Sequence, residues 1–281
     1  MAASAQVDAF EKITDPGKWP SVKRSDVVIG LRARLMNKNS IDQAQSPNCG
    51  PASFFRTLLI DDEDTYVRAA TELYDTGTTT IGQLKITPGA ELLKSPVRYN
   101  MAAVDFITLL SLRDSDNLVL SSSGWFGSNA AGITVPSTLL GWFKSAGYTV
   151  TASNTFLTQV EKPGFPIFTS VRTKKMMAIA QEASDKRMSG YRVMLFIDSD
   201  LIGAKAEYSA SSIPNHWIVL ESGIVWDLPD QDGAAVNGQM WTWGQKVRDF
   251  APDPTDPVQA CNFALFFYGY VAVKRPSNKA S

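Results

Sequence analysis

The apolar positions of this chain change their spacing about halfway along it. In the first half they recur mostly at helical intervals, as in "SDVVIGLRARLM" (25–36) and "CGPASFFRTLLI" (49–60). Side chains three and four positions apart share one face of a helix, so this spacing predicts buried or amphipathic helices over much of residues 61–160 as well. Gly77 and Gly147 follow two such stretches and are predicted to end them.

From about residue 148 onward, short β-branched and aromatic runs predominate and predict strands. The candidate strands are "GYTVTAS", "FPIFTSV", "YRVMLFID", "HWIVLE", "IVWDL", "QMWTW" and "FALFFYGYVAV". One helix is expected near 173–187, and the Gly/Ser-rich stretch 118–133 is expected to be an exposed loop. Helices followed by strands indicate an α+β fold with an antiparallel sheet.

The composition and the net charge exclude several classes of protein. The chain has 281 residues, 44% of them apolar, which is enough for a core without disulfides or structural metals. Its net charge of −1 does not favour nucleic acid as a partner. The longest apolar run, 260–273, is too short to span a bilayer, and the N-terminus "MAASAQVDAFEKITD" lacks the pattern of a signal peptide.

The sequence gives no reason to expect a cofactor. The chain has two cysteines and one histidine, in unrelated contexts, so a zinc site is not expected. We find neither a phosphate-binding Gly-Lys-Ser/Thr loop nor a Gly-rich dinucleotide turn. No cofactor is therefore expected to take part in catalysis.

Cys49 stands in the segment "SIDQAQSPNCGPASFF", between a Pro-Asn turn and the start of an apolar helix. A thiol at a helix start lies at the positive end of the macrodipole, which favours the nucleophilic thiolate. The alternative is a small buried apolar residue, as most cysteines are. Gly50 suits a tight turn or the close approach of a substrate backbone. We therefore expect Cys49 to be more reactive than Cys261, which lies in an apolar strand candidate.

His216 is the only imidazole available as a base, and it begins the strand candidate "HWIVLE". Ser222-Gly223 separates this run from "IVWDL" and predicts a two-residue hairpin. In that register Asp227 lies diagonal to His216 on the same face, where its carboxylate can orient the imidazole. A shift of one residue moves Asp227 to the other face, where it is a turn carboxylate.

An acyl-transfer site also needs N–H donors for the oxyanion. The backbone N–H of Cys49 is one candidate, and a side-chain amide from Gln43 or Gln45 is a second. The alternative for both glutamines is a solvated loop residue. Spacing alone does not choose between them.

The stretch "QAQSPNCGPA", followed downstream by "NHWIVL" and "VWD", resembles the papain-like cysteine peptidase superfamily. It is most similar to the bacteriocin-processing peptidase domains of ABC exporters and to papain-like domains of bacterial secreted effectors and toxins. The resemblance implies Cys49 as nucleophile, His216 as base, Asp227 as orienting acid and Gln43 as oxyanion donor. It also implies a papain-like fold, with the nucleophile at a helix start packed on a C-terminal antiparallel sheet.

The interval from Cys49 to His216 is longer than in the compact exporter domains. We therefore expect an N-terminal segment over residues 1–35 and a catalytic domain over 36–281, in which 61–160 form an enlarged helical subdomain.

The expected function is hydrolysis of a peptide or isopeptide amide through a thioester. Alternatives are a glutamine deamidase or an acyl- or transglutaminase-type transferase with the same residues, or a degenerate papain-like binding module. The resemblance implies a bacterial effector or toxin, cytoplasmic in its producer and then delivered without a signal peptide, for example by a type VI secretion system. Expected partners are a protein or peptide substrate and an immunity protein or secretion component.

Overall fold

The chain is described by a computed structural model. The structure describes residues 1–120, 133–153, 166–202, 214–227, 233–244, 246–251, 253 and 255–276. It divides into two compact units. Unit 1 comprises 1–134, 141–147 and 243–245, and unit 2 comprises 135–140, 148–242 and 246–281.

Unit 1 is mainly helical. Its described elements are α1 (Ala3–Glu11), α2 (Arg24–Met36), α3 (Cys49–Asp61), α4 (Glu63–Thr76), β1 (Thr79–Ile81), β2 (Leu84–Ile86), α5 (Ala90–Lys94), α6 (Ala103–Leu120) and the second half of α7 (Pro136–Ser145). Strands β1 and β2 form an antiparallel hairpin. The sequence pattern did not predict this hairpin, because each of its strands is only three residues long.

Helix α3 is buried over almost its whole length, from Cys49 to Leu59. Pro51 stands in its first turn, where a backbone N–H has no intrahelical partner to lose. The Phe54 ring contacts the rings of Phe55 and Phe143, at centroid distances of 5.2 and 5.0 Å. The predicted helix is therefore confirmed, and it is a central helix of unit 1.

Unit 2 is built mainly from antiparallel strands. Its described elements, besides the first half of α7, are β3 (Thr149–Ala152), α8 (Pro166–Met188), β4 (Arg192–Ile197), β5 (His216–Leu220), β6 (Val225–Trp226), β7 (Ala235–Asn237), β8 (Gln239–Trp241), β9 (Arg248–Asp249), β10 (Val258–Gln259), α9 (Ala260–Phe266) and β11 (Phe267–Lys274). One sheet has the order β3-β11-β4-β5-β8-β9, and a smaller sheet has the order β10-β7-β6.

The α+β class is confirmed by these elements. The strands predicted at "YRVMLFID" and "HWIVLE" are the central β4 and β5 of the larger sheet. Both are almost fully buried, which explains their continuous apolar sequences. The division into residues 1–35 and 36–281, with 61–160 as a subdomain, stays a prediction. Most of the predicted loop 118–133 lies outside the described residues.

One strand prediction is wrong, and a second is wrong in part. Residues 166–171 of "FPIFTSV" belong to helix α8, which begins at Pro166. Proline is favoured at the first helical position, so here it starts a helix instead of bounding a strand. The first four residues of "FALFFYGYVAV" lie in α9, and the remaining seven form β11. A continuous apolar run has no period that separates a buried helix from a buried strand. Cys261 consequently lies in a helix.

The predicted hairpin at Ser222-Gly223 is also wrong. Strand β5 pairs with β4 and β8, whereas β6 pairs with β7 in the smaller sheet. Arg187 of α8 donates hydrogen bonds to the carbonyls of Leu220 and Glu221, at 3.0 and 2.8 Å. Competing contacts from α8 and β8 therefore occupy the end of β5, and the chain leaves the larger sheet there.

Among the residues that the structure describes, no helix is both long enough and apolar enough to cross a membrane.

Candidate active site

Cys49 is the first residue of α3 and is buried, with 4% of its surface exposed. The preceding Asn48 occupies the N-cap position but makes no side-chain cap to the helix. The amide N–H groups of the first turn therefore point toward the helix start without an intrahelical acceptor. This arrangement places the thiol at the positive end of the helix dipole, as predicted.

The loop before Cys49 is held by its own side chains. Gln43 Nε2 donates to the carbonyl of Ser46 at 3.0 Å, and Ser46 Oγ donates to the carbonyl of Gln43 at 2.5 Å. Asn48 Nδ2 donates to Ser46 Oγ at 2.7 Å, and the Ala44 N–H donates to Asp42 Oδ1 at 2.7 Å. These reciprocal bonds fix the path of the chain into α3.

Burial distinguishes the two candidate glutamines. Gln43 is 6% exposed, whereas Gln45 is an exposed loop residue. The bond from Gln43 to Ser46 uses one of the two hydrogens on Nε2. Gln43 is thus an ordered amide on the loop that leads to Cys49, which agrees with the choice that the resemblance makes.

A buried ion pair between α2 and α6 holds the loop that leads to Cys49. Arg34 makes a bidentate contact with Asp105, and Asp105 Oδ2 also accepts the backbone N–H of Asp42 at 2.9 Å. Burial raises the pKa of Asp105 to about 6, although the Arg34 guanidinium opposes this shift. Because Asp42 immediately precedes Gln43, the ion pair fixes the start of the loop.

Arg113 of α6 supports the other end of the loop. Its Nη1 donates to the carbonyl of Pro47 at 2.6 Å, two residues before Cys49. Burial lowers the pKa of the Arg113 guanidinium, and the negative charge of an ionised Cys49 opposes that shift, as do those of Asp116 and Tyr99. The guanidinium therefore lies within electrostatic reach of the thiol.

Gly50 is required by packing within unit 1. A Cβ on Gly50 would lie 2.4 Å from Thr134 Oγ1 and 2.5 Å from Thr134 Cβ. The sequence suggested that Gly50 allows the close approach of a substrate backbone. The structure gives another reason for the glycine, because the Thr134 side chain occupies the space that a Cβ would need.

His216 begins β5 in unit 2 and is buried, with 4% exposure. Its Nε2 shares a hydrogen bond with Thr242 Oγ1 at 2.5 Å. The pairing of Val219 with Trp241 places Thr242 opposite Ile218, so Thr242 is a diagonal neighbour of His216 on one face. His216 thus has a diagonal partner, but from the residue that follows β8 and not from the chain after β6.

The imidazole is neutral over the ordinary pH range. Burial lowers the pKa of His216 to about 3, and the positive charge of Arg248 contributes in the same direction. A hydrogen bond to a neutral hydroxyl, unlike one to a carboxylate, does not specifically stabilise the imidazolium form. His216 is therefore set up as a neutral donor or acceptor, and a resting imidazolium is disfavoured.

Asp227 does not have the environment that the hairpin predicted. It is exposed, directly after β6, and its Oδ1 accepts the backbone N–H of Ala235 at 2.8 Å. Because β6 belongs to the smaller sheet and β5 to the larger one, the register that made Asp227 a diagonal neighbour of His216 does not exist. The orienting role of Asp227 now depends on the resemblance alone.

The four predicted residues lie in two units. Gln43 and Cys49 share one loop and helix of unit 1. His216 and Asp227 belong to unit 2, in which they lie on or beside strands of different sheets.

The sequence interpretation missed Arg113 and Thr242. Thr242 follows β8 in "QMWTW", and pairing that run with "HWIVLE" would have found it. Arg113 carried no local signal, because only the packing of α6 against the loop brings it to Pro47.

Within the described part of the chain, no cluster of three or more histidine, cysteine, aspartate or glutamate side chains could hold a metal ion. In comparisons with known proteins, no protein-family model, no curated protein and no solved structure matches this chain significantly.

Proposed function

We propose that the protein is a cysteine hydrolase that cleaves a peptide or isopeptide amide with Cys49 as nucleophile. The observation that carries the proposal is the position of Cys49 at the start of the buried helix α3, with the Arg113 guanidinium bonded to the carbonyl of Pro47 two residues earlier. A cation and a helix N-terminus both favour the thiolate, which is the attacking species in thiol hydrolases. The papain-like resemblance of "QAQSPNCGPA" adds to this local chemistry.

In the proposed reaction the Cys49 Sγ attacks the amide carbonyl carbon and forms a tetrahedral oxyanion. The backbone N–H of Cys49 and the second hydrogen on Gln43 Nε2 are the proposed donors to that oxyanion. The C–N bond then breaks, the amine leaves with a proton drawn from water, and a thioester remains on Cys49. Water hydrolyses the thioester to the acid and restores the thiolate. The resemblance assigns the proton transfers to His216.

The same residues support a second reaction class. A glutamine deamidase or a transferase of the transglutaminase type uses the same thioester, and only the released amine and the acceptor differ. We keep this class as the alternative because the environment of Cys49 does not distinguish a main-chain amide from a side-chain amide.

A specific observation favours a third candidate, a degenerate binding module. The carboxylate that the resemblance requires beside His216 is instead bonded to Ala235, and His216 is bonded to Thr242. Cysteine enzymes tolerate the loss of the orienting acid better than serine enzymes, because the thiolate is intrinsically a strong nucleophile. We therefore rank hydrolysis above simple binding.

The test is expression of the wild type, Cys49→Ala and Cys261→Ala in a bacterial host, followed by mapping of new protein N-termini and of converted glutamines. We expect new N-termini with the wild type and with Cys261→Ala, and none with Cys49→Ala. Converted glutamines without new N-termini would favour the deamidase. Equal results for wild type and Cys49→Ala would overturn the nucleophile assignment.

From the resemblance we also propose that the protein is a bacterial effector, delivered without a signal peptide, and that an immunity protein binds it. Expression of the wild type should then slow bacterial growth, and expression of Cys49→Ala should not. Equal growth of the two strains, whether the protein stays in the cytoplasm or is directed to the periplasm, would contradict the toxin role.

A further inference from the structure

The thiolate that the proposed function requires needs a source of positive charge. In papain-like enzymes that charge comes from an imidazolium, but His216 is buried and bonded to the hydroxyl of Thr242. The N-terminus of α3 contributes only partial charges, and their effect falls off within the first turn. A full positive charge close to Cys49 would stabilise the thiolate more strongly than the dipole alone.

Arg113 is placed to supply that charge. It projects from α6, and its Nη1 donates to the Pro47 carbonyl at 2.6 Å. This bond fixes one end of the guanidinium two residues before Cys49, so the orientation of the charged group is set by backbone and not by a flexible contact. An arginine stays protonated over the ordinary pH range.

The electrostatic coupling between the two groups agrees with this placement. The ionised Cys49 favours the charged form of Arg113, and the coupling between two sites is reciprocal. Asp116 and Tyr99 also act on the guanidinium, so the cation lies in a group of anionic or ionisable side chains from α6 and the turn before it. Tyr99 has a left-handed backbone at φ 61°, which is a strained conformation for a tyrosine.

We propose that Arg113 is the positioning residue that holds Cys49 as a thiolate and fixes the Pro47–Cys49 turn. This inference rests on the proposed function, because a stabilised thiolate serves a purpose only if Cys49 is a nucleophile. Its test does not depend on that function, because alkylation of Cys49 is measured without a substrate. It differs from the mechanism that the resemblance implies, because the cation belongs to unit 1 itself. The reactivity of Cys49 should then be independent of His216.

The test measures the rate of alkylation by iodoacetamide against pH, in a Cys261→Ala background so that Cys49 is the only thiol. Burial of Cys49 slows the reaction and disfavours the thiolate, so the midpoint of the rate–pH profile reports whether the Arg113 charge and the α3 N-terminus outweigh burial. We expect a midpoint below that of a free cysteine. Arg113→Gln keeps a donor for the Pro47 carbonyl and removes the charge, and it should move the midpoint upward by about one to two pH units.

Three further variants test the charge, the role of His216 and the specificity of the effect. Arg113→Lys restores the charge and should recover most of the shift. His216→Gln should leave the midpoint where it is. Arg68→Met is the matched control, because Arg68 also donates to a backbone carbonyl of unit 1, that of Thr80, at 3.1 Å. It should leave the midpoint unchanged.

An unchanged midpoint in Arg113→Gln would overturn the inference, and so would a shift in His216→Gln as large as that in Arg113→Gln. If Arg113→Gln does not fold, Arg113→Lys decides, since a midpoint near that of the parent supports the role of the charge and a free-cysteine midpoint contradicts it. These results are separate from the proposed function. That proposal fails if Cys49→Ala retains amide hydrolysis, whatever the alkylation profile.

Discussion

At the scale of single residues, Gly50 illustrates how packing can require a residue type that the sequence explains differently. Its backbone does not need the left-handed region, but the Thr134 side chain fills the position of a Cβ. Gly141 in α7 is the contrasting case, because a Cβ there would meet nothing within 4 Å. Two helical glycines of unit 1 therefore differ only in what surrounds them.

We expect Gly50→Ala to lower the stability of the protein by about 1–3 kcal/mol, because the new methyl group overpacks the contact with Thr134. Thr134→Gly in the same chain removes the clashing atoms and should recover part of the loss. Gly141→Ala is the control and should stabilise the protein by up to about 1 kcal/mol, since alanine favours a helix. Urea denaturation measures all three. A silent Gly50→Ala would show that α3 and Thr134 do not pack as described.

Gln43 and Gln45 give the second test at this scale. Gln43→Ala should lower turnover by about 10²–10³-fold through loss of an oxyanion donor. Loss of its bond to Ser46 should cost about 1 kcal/mol of stability. Gln45→Ala should change neither, because Gln45 is exposed. Turnover and urea midpoints of both variants are the measurements. A larger effect of Gln45→Ala would mean that the family alignment is displaced by two residues.

At the scale of elements, strand pairing decides which side chain accompanies His216. The local signal at Ser222-Gly223 favoured a hairpin, but the pairing of β5 with β8 and the bonds from Arg187 of α8 compete with it. Turn propensity contributes little compared with a ladder of buried backbone hydrogen bonds. Asp227 therefore belongs to the β6–β7 pair, and Thr242 takes the diagonal position on the His216 face.

Asp227→Ala and Thr242→Val should consequently differ in their effect. Asp227→Ala should leave amide hydrolysis within about threefold of wild type, because it removes only an exposed bond to the Ala235 backbone. Thr242→Val keeps the shape and removes the hydroxyl that orients His216, which should lower turnover by about tenfold. Steady-state kinetics of both variants test this. The reverse order of effects would restore Asp227 as the orienting acid.

Most of the helices and the central strands could be predicted from the sequence, and the candidate site only in part. Cys49 was found because a helix start has a local signature, and His216 because it is the only histidine. Arg113 and Thr242 were not found, because each reaches its partner through tertiary packing or through strand pairing across 26 residues or more. Such long-range contacts leave no periodic trace in the chain.

At the scale of the whole molecule, the two units carry buried ionisable groups with opposite dependence on pH. The pKa of Asp105 in unit 1 is raised to about 6, so its contribution to stability is greatest at low pH and declines as the pH rises to that value. The pKa of His216 in unit 2 is lowered to about 3, so its contribution is complete above about pH 6.5 and declines as the pH falls. Between about pH 3 and pH 6 the two contributions change in opposite directions, so together they make the free energy of unfolding depend less on pH.

Replacing the only histidine should separate the two contributions. The unfolded chain binds a proton at His216 below about pH 6.5 and the folded chain does not, which destabilises the wild type by about 2 kcal/mol at pH 5. His216→Gln can still hydrogen-bond Thr242 but does not titrate. We expect its urea midpoint, compared with that of wild type, to rise between pH 7.5 and pH 5. A constant difference between the two proteins over that range would contradict the neutral, buried imidazole.

The sequence by itself determined the α+β class, the central helix α3, the buried strands β4 and β5, and the helix-start position of Cys49. Each of these is encoded by local periodicity, capping or composition. Only the tertiary structure decided that residues 166–171 are helical, that β6 leaves the larger sheet, that Thr134 requires a glycine at position 50, and that Arg113 binds the loop before Cys49. These outcomes depend on which distant groups compete for the same backbone bonds and the same space, and that competition is resolved only in the folded chain.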